Sequence, residues 1–400
     1  MNYFWHYPGT ILQKYHHMAG IYIHIPFCRQ ACFYCNFHFS TQLKNTEEII
    51  LTICREAAER KNYLSTPVDT IYFGGGTPSC IGTNALSKII ETLEKNFSIS
   101  PGVEITLEAN PDDISAVSLA EWKTIGINRL SVGIQSFFEK HLQWMNRSHS
   151  AIQAEKCIDL IRNAGFTNFS IDLIYGIPGL SNKEWAENLL NAIRFNIPHI
   201  SCYALTVEPK TALHQMIRQH KKEDVDEGVQ SAQFHQLVKK MRAANYHHYE
   251  ISNFAQPGFE SRHNSSYWLN KEYLGLGPSA HSYNGESRQW NISNNALYIK
   301  NVNNTLPFFE IEYLTATQKF NEWIMTSLRT STGISLEKIN KYSGDVDVAG
   351  FLNDIKKWIE AGNIKLRAGH YTLTRKGKFF ADGIAADLFR EEIIHASGKG

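Results

Sequence analysis

No apolar run in this chain approaches the eighteen or so residues that a membrane span requires. The N-terminal stretch MNYFWHYPGTILQKYHHMAG lacks the basic-then-apolar order of a secretory signal. Net charge is nearly absent too, at +1, so nothing general draws the chain to nucleic acid or to an anionic membrane. Cysteine is scarce, seven in 400 residues, and four of the seven (Cys54, Cys80, Cys157, Cys202) are scattered, which excludes a disulfide framework. These absences point to a reducing, cytoplasmic setting, with at most transient contact with a membrane protein. What is present is ordinary globular material, 43% hydrophobic and 20% charged, enough for about two or three domains.

Residues 1–17 are aromatic, His-rich and without period, and they read as a disordered extension ahead of Met18. His6, His16 and His17 are therefore not taken as ligands. From residue 18 onward a rhythm sets in. Short apolar or β-branched runs at 21–25, 70–73, 104–108, 129–134, 170–175 and 199–205 alternate with helical spacing. The helical segments include TEEIILTICREAAERK, NALSKIIETLEKNF, AIQAEKCIDLIRNAG and NKEWAENLLNAIRFN, three with Ser, Thr or Asn at the N-cap position. Six such units imply an α/β fold over 18–253 with a parallel sheet, open or curled into a partial barrel. Residues 254–304, rich in Gly, Asn and Ser, read as loop and linker. Residues 305–400 return to helical spacing, with one face at Phe320, Trp323, Ile324 and Leu328 and a second running from Val348 to Ile359. A strand pair turning near Gly369 follows, so the smaller C-terminal α+β domain is expected to be winged-helix-like, with a packing or partner role rather than specific nucleic-acid binding.

The chemistry concentrates where parallel strands end. GGGTP, EANP, GIQS and DLIYGIPG close strands two to five, the end at which α/β proteins place their sites. Strand one runs into IHIPFCRQACFYCNF, which sets Cys28, Cys32 and Cys35 within eight residues. Three thiolates closing on one loop suit zinc or an iron–sulfur cluster. His38 offers a fourth ligand for a Cys3His zinc site, so spacing alone leaves both open. The three glycines of FGGGTPS let a backbone edge approach a ligand closely.

Together these motifs resemble the radical S-adenosylmethionine (SAM) superfamily. The resemblance is closest to the oxygen-independent coproporphyrinogen III oxidases and their paralogues, the HemW-type haem chaperones. It rests on YIHIPFC, YFGGGTPS, LEANPDD, SVGIQSF, NRSHS and DLIYGIPG, and runs from about Gly20 to near the C-terminus. It implies a partial TIM-like (β/α)6 barrel in which Cys28, Cys32 and Cys35 hold a [4Fe-4S] cluster and SAM takes the remaining iron. Tyr22, Gly75 and Glu108 then match contacts to the cluster-bound SAM, with Tyr34 beside it. Gly76, Thr77, Gln135, Arg147 and Asp172 match contacts to a second SAM in the oxidase. Plainer roles exist for two of them, Asp172 as a loop brace and Arg147 as a surface cap. A buried Asp172 also requires a specific donor.

Two features separate the branches. The oxidases carry a further cysteine two positions after the third, where this chain has Phe37. HNSSYW, from His263 to Trp268, is similar to the His-Asn-x-x-Tyr-Trp motif associated with the chaperones, which implies haem as a ligand with His263 as its axial donor and His281 as a rival. The resemblance thus implies a haem chaperone that passes haem to an acceptor such as a respiratory haem protein. The alternative is oxidative decarboxylation of coproporphyrinogen.

Overall fold

The computed structural model describes residues 19–392. The expected extension at 1–17 lies outside the described residues. Six strands form the frame: β1 (Ala19–Ile25), β2 (Val68–Gly75), β3 (Ile99–Ala109), β4 (Arg129–Gln135), β5 (Phe169–Tyr175) and β6 (His199–Ala204). They pair in chain order and all in parallel. Helices cross between them, including Thr46–Glu59, Thr83–Asn96, Ala151–Asn163 and Asn182–Arg194. Ser150 and Ser181 close capping boxes at the starts of the last two, each satisfying otherwise orphaned N–H groups.

On β1, Ile21, Ile23 and Ile25 are wholly buried, so strand alternation turns Tyr22 and His24 to the opposite face. The same alternation places Tyr72, Glu108, Gln135, Asp172 and Tyr203 on that face of the neighbouring strands. One side of the sheet is thus an aliphatic seat for the helices, and the other is lined with polar and aromatic groups.

Among the described residues the sheet does not close. On its outer side β1 pairs with β9 (Tyr273–Leu276), and β6 pairs with β8 (Asn253–Ala255). β7 (His247–His248) lies beyond β8, while β10 (His281–Tyr283), β11 (Ser287–Asn291) and β12 (Phe309–Tyr313) continue beyond β9, giving twelve strands. Residues 254–304 are therefore not loop and linker. Their strands run only three to five residues, too short to show a period among the turn residues around them. The asparagine-rich stretch holds the helix Asn295–Asn303, with Asn294 as its side-chain N-cap and Tyr298, Ile299 and Val302 buried. Asparagine serves there as a cap, and the apolar spacing carries the helix.

The C-terminal domain has its own core. Phe320, Ile324, Leu328, Phe351, Ile355 and Ile384 pack together apart from the main cluster. Its small antiparallel sheet joins β13 (Ile334–Ser335), β14 (Ile364–Arg367) and β15 (His370–Leu373). Ala368 and Gly369, at φ 49 and φ 77, make the turn between β14 and β15, as a two-residue hairpin of native twist requires.

Candidate cofactor site

The cysteine run leaves β1 through Phe27, which is 1% exposed and anchors the loop in the core. Its base is closed by Cys28 N–H donating to Ser40 O at 3.0 Å and Ser40 N–H donating to Pro26 O at 2.9 Å. Cys28, Cys32 and Cys35 are all free thiols. Thr77 Oγ1 donates to Cys28 Sγ at 3.4 Å, and Arg147 Nη1 donates to Cys32 Sγ at 3.3 Å. Burial raises the Cys28 thiol and pushes Cys35 up to about 11, so at neutral pH these thiols stay protonated and would release their protons to solvent when a metal binds the sulfur.

Among the described residues no three His, Cys, Asp or Glu side chains gather around one point as ligands of a single ion must. A cubane cluster takes each thiolate on a separate iron, so the three thiols fit a cluster better than one zinc ion. His38 is not gathered with the three cysteines into a ligand group, and its Nε2 donates to Asn295 Oδ1 at 2.7 Å.

GGGTP packs flush against this loop. Gly76 N–H donates to Ile25 O at 2.9 Å and Thr77 N–H to Phe27 O at 2.6 Å. A Cβ on Gly76 would stand 2.5 Å from Phe27 O, and Gly75, at φ +107, lies against the His24 ring. The glycines are thus needed first for chain against chain. Gly75 N–H also reaches the Glu108 carboxylate.

Glu108 accepts from Tyr72 OH at 2.7 Å. Burial pushes its pKa up to about 7, with the Asp172 charge adding to the rise. Burial likewise pushes Asp172 up to about 6 against the pull of Ser201, Arg129 and Arg147. The donor that a buried Asp172 requires is the Ser201 hydroxyl. Tyr22 lies within reach of the Glu108 charge, and its own ionisation is raised mainly by burial. Its OH donates to His24 Nδ1 at 3.3 Å, while His24 Nε2 donates to His38 O at 2.8 Å. That second bond fixes the tautomer of His24.

Arg147 is not a surface cap. Besides Cys32 it donates from Nη2 to Asn110 Oδ1 at 2.7 Å and to Gly133 O at 2.8 Å, and its charge is coupled to Tyr34. A Cβ on Gly133 would stand 2.9 Å from Gln135 Nε2 and 3.1 Å from an Arg147 nitrogen, so glycine there leaves these two side chains room beside each other. The fold therefore gathers the cysteines with Tyr22, Tyr34, Gly75, Gly76, Thr77, Glu108, Gln135, Arg147 and Asp172 at one mouth.

His263 stands apart from that group. It is 1% exposed at the start of the helix Arg262–Trp268. Its Nδ1 is hydrogen-bonded to Thr70 Oγ1 at 2.8 Å and its Nε2 to Tyr267 OH at 2.9 Å. Both ring nitrogens are thus engaged with protein hydroxyls and the ring is buried. His281 is exposed on β10, with its ring 6.5 Å from that of Trp290. At the far end of the same helix, Arg329 of the C-terminal domain lies over the Trp268 ring at 5.3 Å. Sequence reading missed His24, Thr70 and Tyr72. Their signal was the period-two pattern of β1 and β2, which set them on the face of Tyr22 and Gly74.

A parallel half-barrel with a three-thiol loop at the carboxyl end of its first strand defines a radical SAM protein. The Radical SAM superfamily model matches residues 22–192 and the HemN C-terminal domain model residues 314–380. The chain is 32% identical over 372 residues to the protein named Heme chaperone HemW of Bacillus subtilis, covering 92% of this chain and 98% of that one. It is 34% identical over 266 residues to Heme chaperone HemW of Escherichia coli, covering 66% and 69%. The solved coproporphyrinogen III oxidase HemN of Escherichia coli, a radical SAM enzyme, superimposes with a TM-score of 0.81 over 93% of this chain and 90% of that one, at 21% identity, and so shares the fold. This chain belongs to the HemW family of radical SAM proteins.

Proposed function

We propose that this protein is a haem chaperone: it binds haem and hands it to an acceptor haem protein in the cytoplasm or at its membrane face. The observation that carries this reading is the match to a Heme chaperone HemW over 98% of that relative's length. Phe37, 65% exposed beside the cysteine loop, supports it from the site, because the oxidases that the sequence resembles have a further cysteine there. Cys28, Cys32 and Cys35 would hold the cluster, and Glu108, Tyr22 and the Gly75 backbone would orient SAM against it. Bound together, cluster and SAM supply the reductive cleavage of a sulfonium, chemistry that belongs to the cofactor while the chain binds, orients and excludes water.

The test is haem titration of protein reconstituted anaerobically with iron and sulfide, with coproporphyrinogen and SAM supplied in a parallel sample. Saturable uptake of about one haem per chain without release of carbon dioxide is expected. Decarboxylation of coproporphyrinogen with release of 5'-deoxyadenosine would instead make the protein an oxidase.

A pH dependence follows from the raised carboxylates. If ionised Glu108 accepts from the SAM ammonium or a ribose hydroxyl, affinity for SAM falls roughly five- to tenfold between pH 7.5 and pH 6, as a group at about 7 takes up its proton. Stability without ligand runs the other way. Both folded-state pKa values lie above the ordinary 4.5 and 3.8, so their contribution is fully present only below those ordinary values and is lost as pH rises through about 6 to 7. Equilibrium dialysis of SAM across this range checks the first effect. A flat profile would count against Glu108 as the SAM acceptor, and Glu108→Gln is expected to flatten it.

A further inference from the structure

The HNSSYW helix was expected to offer a haem ligand, yet its histidine is built into the floor under the SAM-side carboxylate. Gly20 on β1 opens the slot: a Cβ there would stand 3.3 Å from His263 Cε1 and 3.0 Å from Thr70 Oγ1. The ring enters this notch, is held at both nitrogens by Thr70 and Tyr267, and stacks on Tyr72 with centroids 4.9 Å apart and planes 21° apart. The helix carrying it is also fixed at its start. Glu104 on β3 accepts from the backbone N–H of Arg262 and of His263, each at 3.1 Å, and Ser261 Oγ accepts from Asn264 N–H at 3.2 Å. Tyr72 in turn neighbours Tyr22, with ring centroids 6.1 Å apart, and its hydroxyl is the side-chain donor to Glu108.

We propose that His263 is a positioning residue for SAM: by clamping the Tyr72 ring it sets the hydroxyl that orients the Glu108 carboxylate, and it does not ligate haem. The proposal rests on the reading that Glu108 accepts from SAM. A phenol ring held by a stacked neighbour has fewer low-energy positions for its hydroxyl. A charge-assisted bond to a carboxylate is strong only in good geometry. Loss of the His263 ring leaves a cavity on one face of Tyr72 and two hydroxyls without their partner, and the Tyr72–Glu108 bond then loses its alignment.

The experiment compares His263→Ala, His263→Gln, Tyr72→Phe and Glu108→Gln in the full-length protein reconstituted with iron and sulfide, measuring SAM affinity and haem uptake on the same samples. His263→Ala and Tyr72→Phe are each expected to weaken SAM binding about tenfold with iron content and haem stoichiometry unchanged. His263→Gln, whose amide can serve both Thr70 and Tyr267, is expected to recover most of the SAM affinity. Tyr72→Phe keeps the ring and the stack, so it carries the test even if His263→Ala does not fold.

Loss of haem uptake in His263→Ala with SAM affinity intact would overturn the proposal and restore the ligand role. Weakening of SAM by Glu108→Gln but not by Tyr72→Phe would also overturn it while leaving the SAM reading standing. If Glu108→Gln leaves SAM affinity unchanged, the reading on which the proposal rests falls, and the proposal with it.

Discussion

Iron content is expected to fall from about four atoms per chain to below about one when Cys28, Cys32 or Cys35 is replaced singly by Ala, with visible cluster absorbance and SAM binding lost together. The loop is built so that this loss does not spread. Its base is closed by backbone bonds at Cys28 and Ser40, and its anchor is the buried ring of Phe27, so far-UV circular dichroism and the denaturation midpoint should stay close to those of the parent. Cys157→Ala and Cys202→Ala provide the contrast. Both residues are buried on structural elements, at 1% and 2% exposure, and their removal should cost some stability, about 1 kcal/mol, with iron unchanged. Iron assay and absorbance spectra of the five variants decide the matter. A single loop variant that retained full iron would mean that another residue supplies the missing corner, and Cys80, which feels the Cys28 charge, would be examined first.

Glu56→Leu is expected to lower stability by about 3–5 kcal/mol, the penalty for stripping a buried ion of its partner. Glu56 is fully buried on the helix Thr46–Glu59. Its carboxylate accepts from Gly277 N–H at 2.8 Å, Asn291 Nδ2 at 2.8 Å, Tyr298 OH at 2.5 Å and Arg60 Nη1 at 3.1 Å. Burial still raises its pKa despite these donors, so the carboxylate depends on all of them. Leucine would leave Arg60 with no carboxylate and three further donors orphaned beneath β9 to β12. The denaturant midpoint should fall, and residues 273–313 should become the first region cut in limited proteolysis, because they are joined to the frame at Glu56. Glu56→Gln, which keeps an acceptor oxygen, should lose only about 1–3 kcal/mol. Equal losses for the two variants would show that the negative charge, which both remove, carries the effect rather than the acceptor oxygen that glutamine keeps.

That network also marks where the sequence ceases to be legible. Strands β1 to β6 and the helices between them follow from period two and period 3.6, signals carried within about a dozen neighbours. The loop cysteines are legible for the same reason, being bunched within eight residues. Glu56, by contrast, looks like any polar position on an amphipathic helix, and three of its four donors lie 221 to 242 residues away. Strands β9 to β11 hide because their pairing with β1 and with one another is set by tertiary contact, not by local period. His263 was legible as a motif, whereas the notch at Gly20 and the bond to Thr70 that surround its ring come from a distant part of the chain. The glycine run was read as room for a ligand, and the backbone of Phe27 turns out to claim much of that room.

The open sheet carries one more physical consequence, for behaviour in concentrated solution. Among the described residues the twelve strands end in two edges, β7 and β12, with no further strand paired to them, and a free edge is a template on which another chain can add itself. β7 offers only two residues of such a template. β12 offers five, with Ile311 and Tyr313 exposed, but Glu310 and Glu312 alternate with them. Were a second copy to lie antiparallel across Ile311, it would bring glutamate opposite glutamate, and like charges at that spacing repel. The extended sheet that frames the cofactor mouth thus ends in a gatekeeper, and the molecule limits its own growth by charge.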